Sequence, residues 1–278
     1  MFLEKEDVSL YYEERGEGSP LILIHGVIVD AGLFSQAAGL LSSHFRVITF
    51  DRRGNSRSTL RGPEENRGFS MEKQAEDIRD LMDFLHIDRA YILGASAGAV
   101  IGQYFMQRFP ERVRHLIMYE PAMLGYMVKD PAVRAWTEEM QEIIGKRRYN
   151  SAVLQFAKHI ASFDRRSPEK PGEQSMREAG NFAYALTCEF PGLLAYTPDL
   201  SFMRQNRDRI TLAAGEKSGD TVYARCPREL AAELGKKALA WPGYHNLPFD
   251  LPEEFAMCVL GTLILAGTQG IAGSFSES

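Results

Sequence analysis

Short runs of branched apolar residues alternate along the chain with stretches whose apolar positions fall at helical spacing. Residues 8–14, ahead of a Gly-Glu-Gly turn, predict an opening strand, and 21–24 and 46–50 predict buried strands. Met71, Ala75, Ile78, Leu81, Met82 and Leu85 recur at the period of a helix, with Ser70 placed to cap it. Residues 91–93 read as a strand and 97–109 as a helix stopped by Pro110; 113–119 then form a further strand, closed by Glu120-Pro121. From 121 to 206 the strand signals vanish. Helical patterns replace them, including 131–146 and 151–163, with a Pro-rich loop at 167–172. The alternation then returns as a strand at 210–214, a helix near 227–234, a strand at 238–241 and a last helix from about Pro252. This order predicts an α/β fold with a mainly parallel sheet covered on both faces. The whole of 1–278 forms one domain, and 121–206 is a helical lid inserted within it.

Composition narrows the partners. Of 278 residues, 45% are apolar and 25% charged, enough for a sizeable core. A net charge of -5 argues against a nucleic acid or an anionic membrane, which attract concentrated Lys and Arg. Charge interrupts the start of the chain at once, unlike a secretory signal, and the apolar stretch 255–266 falls short of the ~20 residues of a membrane span. Cys188, Cys226 and Cys258 are odd in number and far apart, which suits neither a disulfide framework nor a zinc site. The expectation is a cytoplasmic protein acting on a small molecule, without metal or organic cofactor.

The chemistry centres on Gly94-Ala95-Ser96-Ala97-Gly98, between an apolar strand and a helix. In that context G-x-S-x-G describes a nucleophile elbow: the serine takes a strained conformation so that its hydroxyl projects from a sharp turn, while small neighbours let strand and helix approach. The helix starting at Ala97 directs free amides and the positive end of its dipole toward the reacting centre.

These residues, with three further segments in the same order, give a resemblance to the α/β-hydrolase superfamily over nearly the whole chain. His25-Gly26 after an apolar strand resembles its oxyanion motif. Residues 51–58 resemble its D-x-R-G-x-G-x-S loop, with Ser56 where glycine is usual, and Pro242-Gly243-Tyr244-His245 resembles the segment carrying the catalytic histidine. The resemblance implies Ser96 as nucleophile, His245 as base, and the amides of Val27 and Ala97 as oxyanion hole. His25 reads as a structural, hydrogen-bonded imidazole.

Two residues compete as the acid. The superfamily usually places it after the strand ending near Ala214, which makes Asp220 a candidate, although it lies five residues past Gly215 and Ser218 fills the common G-x-x-D slot. Glu120 closes the apolar run 116–119 at the carboxyl edge of a central strand, where ligands gather in open α/β sheets and a carboxylate needs a partner. Some branches, haloalkane dehalogenases among them, take their acid from this position. Glu120-Pro121 with the double-arginine loop also resembles an uncharacterised bacterial hydrolase branch. Glu120 is the favoured assignment and Asp220 the alternative.

The expected activity is hydrolysis of an ester-like bond through an acyl-enzyme. A serine at 96 disfavours dehalogenase and epoxide-hydrolase chemistry, which in this fold employs an aspartate. The rivals are a lyase or perhydrolase using the same residues, and a silent ligand-binding protein. Met123, Leu124, Met127, Trp136, Phe156, Phe163, Phe182, Tyr184 and Phe190 offer either an apolar pocket or packing between the lid helices.

Overall fold

The computed structural model describes residues 1–63, 68–160 and 167–274. The chain runs through β1 (Phe2–Glu4), β2 (Val8–Arg15), β3 (Ser19–Ile24), α1 (Ser35–Leu41), β4 (Phe45–Phe50), the two-residue β5 (Thr59–Leu60) and α2 (Met71–Phe84). Next come β6 (Ala90–Ala95), α3 (Ala97–Arg108) and β7 (Val113–Tyr119). Helices α4 (Leu124–Met127), α5 (Pro131–Gly145), α6 (Tyr149–Ile160) and α7 (Gly172–Tyr184) follow. A π-helical turn at Ala185–Glu189 then leads into α8 (Phe190–Ala195) and α9 (Leu200–Gln205). The sheet resumes with β8 (Ile210–Gly215), α10 (Val222–Glu233), β9 (Leu239–Trp241), α11 (Leu247–Asp250) and α12 (Pro252–Ser274).

The strand order β1-β2-β4-β3-β6-β7-β8-β9 gives one sheet, with β5 paired to β2. Among the described residues the rungs from β4 through β9 are parallel, and only those made by β2 are antiparallel. Burial on both faces explains why residues 21–24, 91–93 and 116–119 read as unbroken apolar runs. The period of two still sorts the side chains: Ile22, Ile24, Ile92 and Met118 pack with α2 and α3 on one face. Leu21, Leu23, Leu93 and Tyr119 pack with α1 and α12 on the other.

The predicted elements recur with small shifts. Ser70 caps α2 as expected, its hydroxyl accepting from the Lys73 amide at 3.2 Å. The helix expected near 227–234 instead begins at Val222, because Thr221 caps it by accepting from the Ala224 amide at 3.3 Å and Pro227 is carried inside the helix. The end of the helix expected over 151–163, Phe163 included, lies outside the described residues. Among the described residues no helix is long and apolar enough to cross a membrane.

One buried group of the sheet gives the fold a pH dependence. His115 on β7 is 6% exposed, its Nε2 lies 2.8 Å from Thr211 Oγ1, and burial with the nearby positive charges of Lys236 and Arg209 pushes its pKa down to about 4. The unfolded chain protonates this histidine near 6.5 while the folded chain does not, so its contribution is intact above 6.5 and is lost as pH falls toward 4. The slope approaches ~1.4 kcal/mol per pH unit for each such histidine. Urea unfolding of wild type and His115→Gln across this window is expected to show a shallower decline in the variant. Equal slopes would contradict the assignment.

Candidate active site

Ser96 stands between β6 and α3 at φ 56° and ψ -121°, a left-handed conformation that a non-glycine residue holds only under constraint. The constraint is backbone hydrogen bonding. The Ser96 amide donates to the Tyr119 carbonyl at 3.0 Å, and its carbonyl accepts from the amides of Ala99 and Ala122, both at 3.1 Å. The flanking glycines are required by contact: a Cβ on Gly94 would lie 2.2 Å from the Gly98 carbonyl oxygen, and one on Gly98 would lie 2.0 Å from that of Ile24. Ala97 opens α3, so its amide has no acceptor within the helix.

Glu120 follows β7 directly, also at positive φ (42°), and is fully buried. Its Oε1 accepts from the Gly215 amide at 2.8 Å, and its Oε2 lies 2.6 Å from His245 Nδ1. Burial would raise this carboxyl. The hydrogen bond and charge of His245, with smaller contributions from Ser218 and the Gly215 amide, outweigh it and hold the group below the usual glutamate range. An ionised carboxylate only accepts, so Nδ1 of His245 carries the hydrogen of this bond, and Nε2 is the nitrogen left to exchange a proton. The loop bearing His245 is secured by the Tyr119 hydroxyl, which donates to the Tyr244 carbonyl at 2.6 Å, and the Tyr223 ring lies 4.8 Å from the imidazole.

Ser96 and His245 line one cavity of about 410 Å³, together with Gly26, Val27 and Ile28 from the loop after β3. Val153, Phe156 and Phe182 line it as well, and Lys170 and Glu178 add polar groups to the lining. A smaller apolar recess shares Val27, Ile28, Val153, Phe156 and Phe182 with it and is lined further by Leu124, Leu186, Phe190 and Tyr223. Of the apolar residues singled out between 121 and 206, Leu124, Phe156, Phe182 and Phe190 therefore face these spaces. Met123, Met127 and Trp136 pack in the core, and Tyr184 lies against Gly54.

Residues 19–220 match the sequence profile of the α/β-hydrolase fold family. The chain belongs to that family. Among relatives of this α/β-hydrolase, the uncharacterized hydrolase YraK of Bacillus subtilis is 30% identical over 248 residues, covering 88% of each chain. A zearalenone hydrolase of Cladophialophora bantiana is 36% identical over 119 residues, 42% of this chain and 45% of that one. Of solved structures, a carboxylesterase of the thaumarchaeon Nitrososphaera gargenis superposes with a TM-score of 0.72 at 20% identity, covering 97% of this chain and 100% of its own. A thermophilic esterase of Thermogutta terrifontis gives 0.72 at 17% identity, covering 93% and 94%.

The two candidate acids of the hydrolase part company. Glu120 meets His245, whereas the Asp220 side chain is 94% exposed and lies 3.6 Å from Arg228. Ser218, in the slot where the common pattern has its acid, turns a buried hydroxyl toward Gly215.

His25 is fully buried with both ring nitrogens engaged. Nε2 accepts from the Arg52 amide at 2.9 Å, which leaves Nδ1 to donate to the Gly26 carbonyl at 2.7 Å. Burial and the Arg52 charge push its pKa down to about 3, so it stays neutral. Ser56, standing where glycine is usual, has φ 46°, and Asn181 of α7 holds it there by accepting from its amide at 2.6 Å.

The sequence reading did not assign roles to Arg52, Asn181 or Glu189. Arg52 and Glu189 form a wholly buried ion pair at 2.5 Å. The consecutive arginines at 52 and 53 were the available signal; Arg52 meets Glu189, 137 residues along the chain, and Arg53 meets Asp77 of α2 and Asp7. Among the described residues no group of three or more His, Cys, Asp or Glu is placed to hold a metal ion.

Proposed function

We propose that this α/β-hydrolase cleaves a carboxylic ester, lactone or thioester of a small molecule through an acyl-enzyme on Ser96. The reading is carried by the Glu120–His245 hydrogen bond of 2.6 Å beside the cavity that Ser96 and His245 share. His245 takes the Ser96 proton on Nε2 while Oγ attacks the carbonyl carbon, a general-base contribution of about 10²–10⁴-fold. The amides of Val27 and Ala97 meet the charge that develops on the carbonyl oxygen; each such donor is worth about 2.7–4 kcal/mol. Glu120 stabilises the imidazolium, which returns its proton to the departing alcohol or thiol. Water, deprotonated by His245, then attacks the acyl carbon, the bond to Ser96 Oγ breaks as His245 passes that proton to Oγ, and the acid leaves.

Residues 121–206 act as a lid whose Val153, Phe156 and Phe182 shape the cavity for an apolar group. The esterases and the zearalenone hydrolase among the similar proteins support an ester-type bond as the target. A panel of p-nitrophenyl esters of graded length, with a fluorophosphonate probe, tests the reading. Turnover of at least one ester and a single adduct mapped to Ser96 are expected. Labelling of Ser96 with no acyl transfer to water would replace the reading with a non-hydrolytic member of the fold. Neither labelling nor turnover would leave a binding protein.

A further inference from the structure

We infer that Arg52 is a positioning residue that aims the Val27 amide at the reacting centre, and that Glu189 of the π-helical turn sets Arg52 for that task. The inference rests on the proposed role of the Val27 amide in holding the oxyanion.

The carbonyl of Gly26 and the amide of Val27 belong to one planar, trans peptide unit, so they point in opposite directions and fixing one fixes the other. Two donors fix the carbonyl: Arg52 Nη2 at 2.9 Å and His25 Nδ1 at 2.7 Å. Arg52 Nε reaches the preceding carbonyl, that of His25, at 3.0 Å. The planar guanidinium thus grips two successive carbonyls, which a lysine ammonium lacks the geometry to do. The gripped peptide adjoins the nucleophile, since a Cβ placed on Gly26 would lie 2.9 Å from Ser96 Cβ and 3.4 Å from Ser96 Oγ. A cationic donor on the carbonyl also polarises the peptide and strengthens the amide at its other end.

The loop has reason to need a grip. Ile28, next after Val27, is β-branched and held at φ 67°, a conformation that costs of order 1–3 kcal/mol and persists only where surroundings impose it. Asn181 Nδ2 contributes by donating to the Ile28 carbonyl at 3.1 Å.

Glu189 completes the arrangement from the other side. Its Oε1 accepts from Arg52 Nη1 at 2.5 Å and from Asn55 Nδ2 at 3.3 Å, and both members of the ion pair are wholly buried. Burying such a pair costs more than an apolar pair of similar volume, and Glu189 Oε2, buried without a hydrogen bond, adds to the cost. The π turn is the kind of local irregularity that re-aims a side chain. Stability alone does not account for this expense. A guanidinium locked in one orientation over two carbonyls does.

Arg52→Lys and Glu189→Gln, made in the full chain, test the inference on an ester turned over by wild type, through kcat, KM and the fluorophosphonate labelling rate. Arg52→Lys is expected to lower kcat by about 10²-fold, the scale of one lost oxyanion donor, with KM changed less than about twofold and labelling slowed in parallel. Glu189→Gln, which keeps the shape of the side chain, is expected to do the same to a smaller degree. Folded variants with wild-type kcat and labelling rate, or with the loss confined to KM, would overturn it. Where Arg52→Lys does not fold, Glu189→Gln decides. A wild type that neither labels nor turns over removes the proposed function and this inference together, whereas an active wild type with unaffected variants removes only the inference.

Discussion

Ser96→Ala is expected to lower kcat by about 10⁴–10⁶-fold and to abolish fluorophosphonate labelling, while the protein remains folded. The size follows from the role proposed for the hydroxyl: without it no acyl-enzyme forms, and only binding and the oxyanion amides remain to promote attack by water. The persistence of the fold follows from where the constraint at this position resides. The left-handed backbone of Ser96 is held by its own amide on Tyr119 and by the amides of Ala99 and Ala122 on its carbonyl, and alanine keeps all three. Circular dichroism and urea unfolding check the fold, and kcat with intact-mass analysis checks the chemistry. A variant retaining a tenth of wild-type turnover would rule out Ser96 as nucleophile.

Glu120→Gln is expected to cost about 10⁴-fold in kcat, and Asp220→Asn less than about twofold. Glu120 Oε1 accepts from the Gly215 amide, so a glutamine would keep its oxygen there and turn its NH2 toward His245. The imidazole would then accept at Nδ1 and carry its hydrogen on Nε2, the tautomer that cannot take a proton from Ser96. Asp220 is exposed and paired with Arg228, and its contact is with that arginine and not with the ring. The two variants also separate chemistry from stability, since the glutamine removes a buried charge without leaving a void. A larger loss from Asp220→Asn than from Glu120→Gln would move the acid to the loop after β8.

Much of this was legible in the residues because the central strands are buried on both faces. Runs such as 21–24 and 113–119 admit few other readings, and 113–119 became β7 without a shift. The edges were not legible: β1 has three residues and β5 two, too few for any alternation to register. At the site, Ser96 and His245 stood in recognisable local contexts, and Glu120 was conspicuous as a carboxylate ending an apolar strand. The choice between Glu120 and Asp220 was not decidable from the chain, because it depends on which loop approaches His245. The Arg52–Glu189 pair was further out of reach. Glu189 is one acid among many in the helices of 121–206, and only the approach of segments 137 residues apart distinguishes it.

Register at the centre of the sheet has a bearing on how activity would fade with heat. Ala95 and Tyr119 are opposed on the same rung of β6 and β7, so Ser96 and Glu120 are each the next residue along neighbouring strands, cross-linked by the Ser96 amide. The proposed nucleophile and the proposed acid are thus fastened to a deeply buried part of the molecule, where local opening approaches the free energy of global unfolding. His245 alone arrives on a loop. In the proposed mechanism the imidazole is therefore the first of the three to wander on warming, and inactivation would precede melting by as much as that one arm loosens.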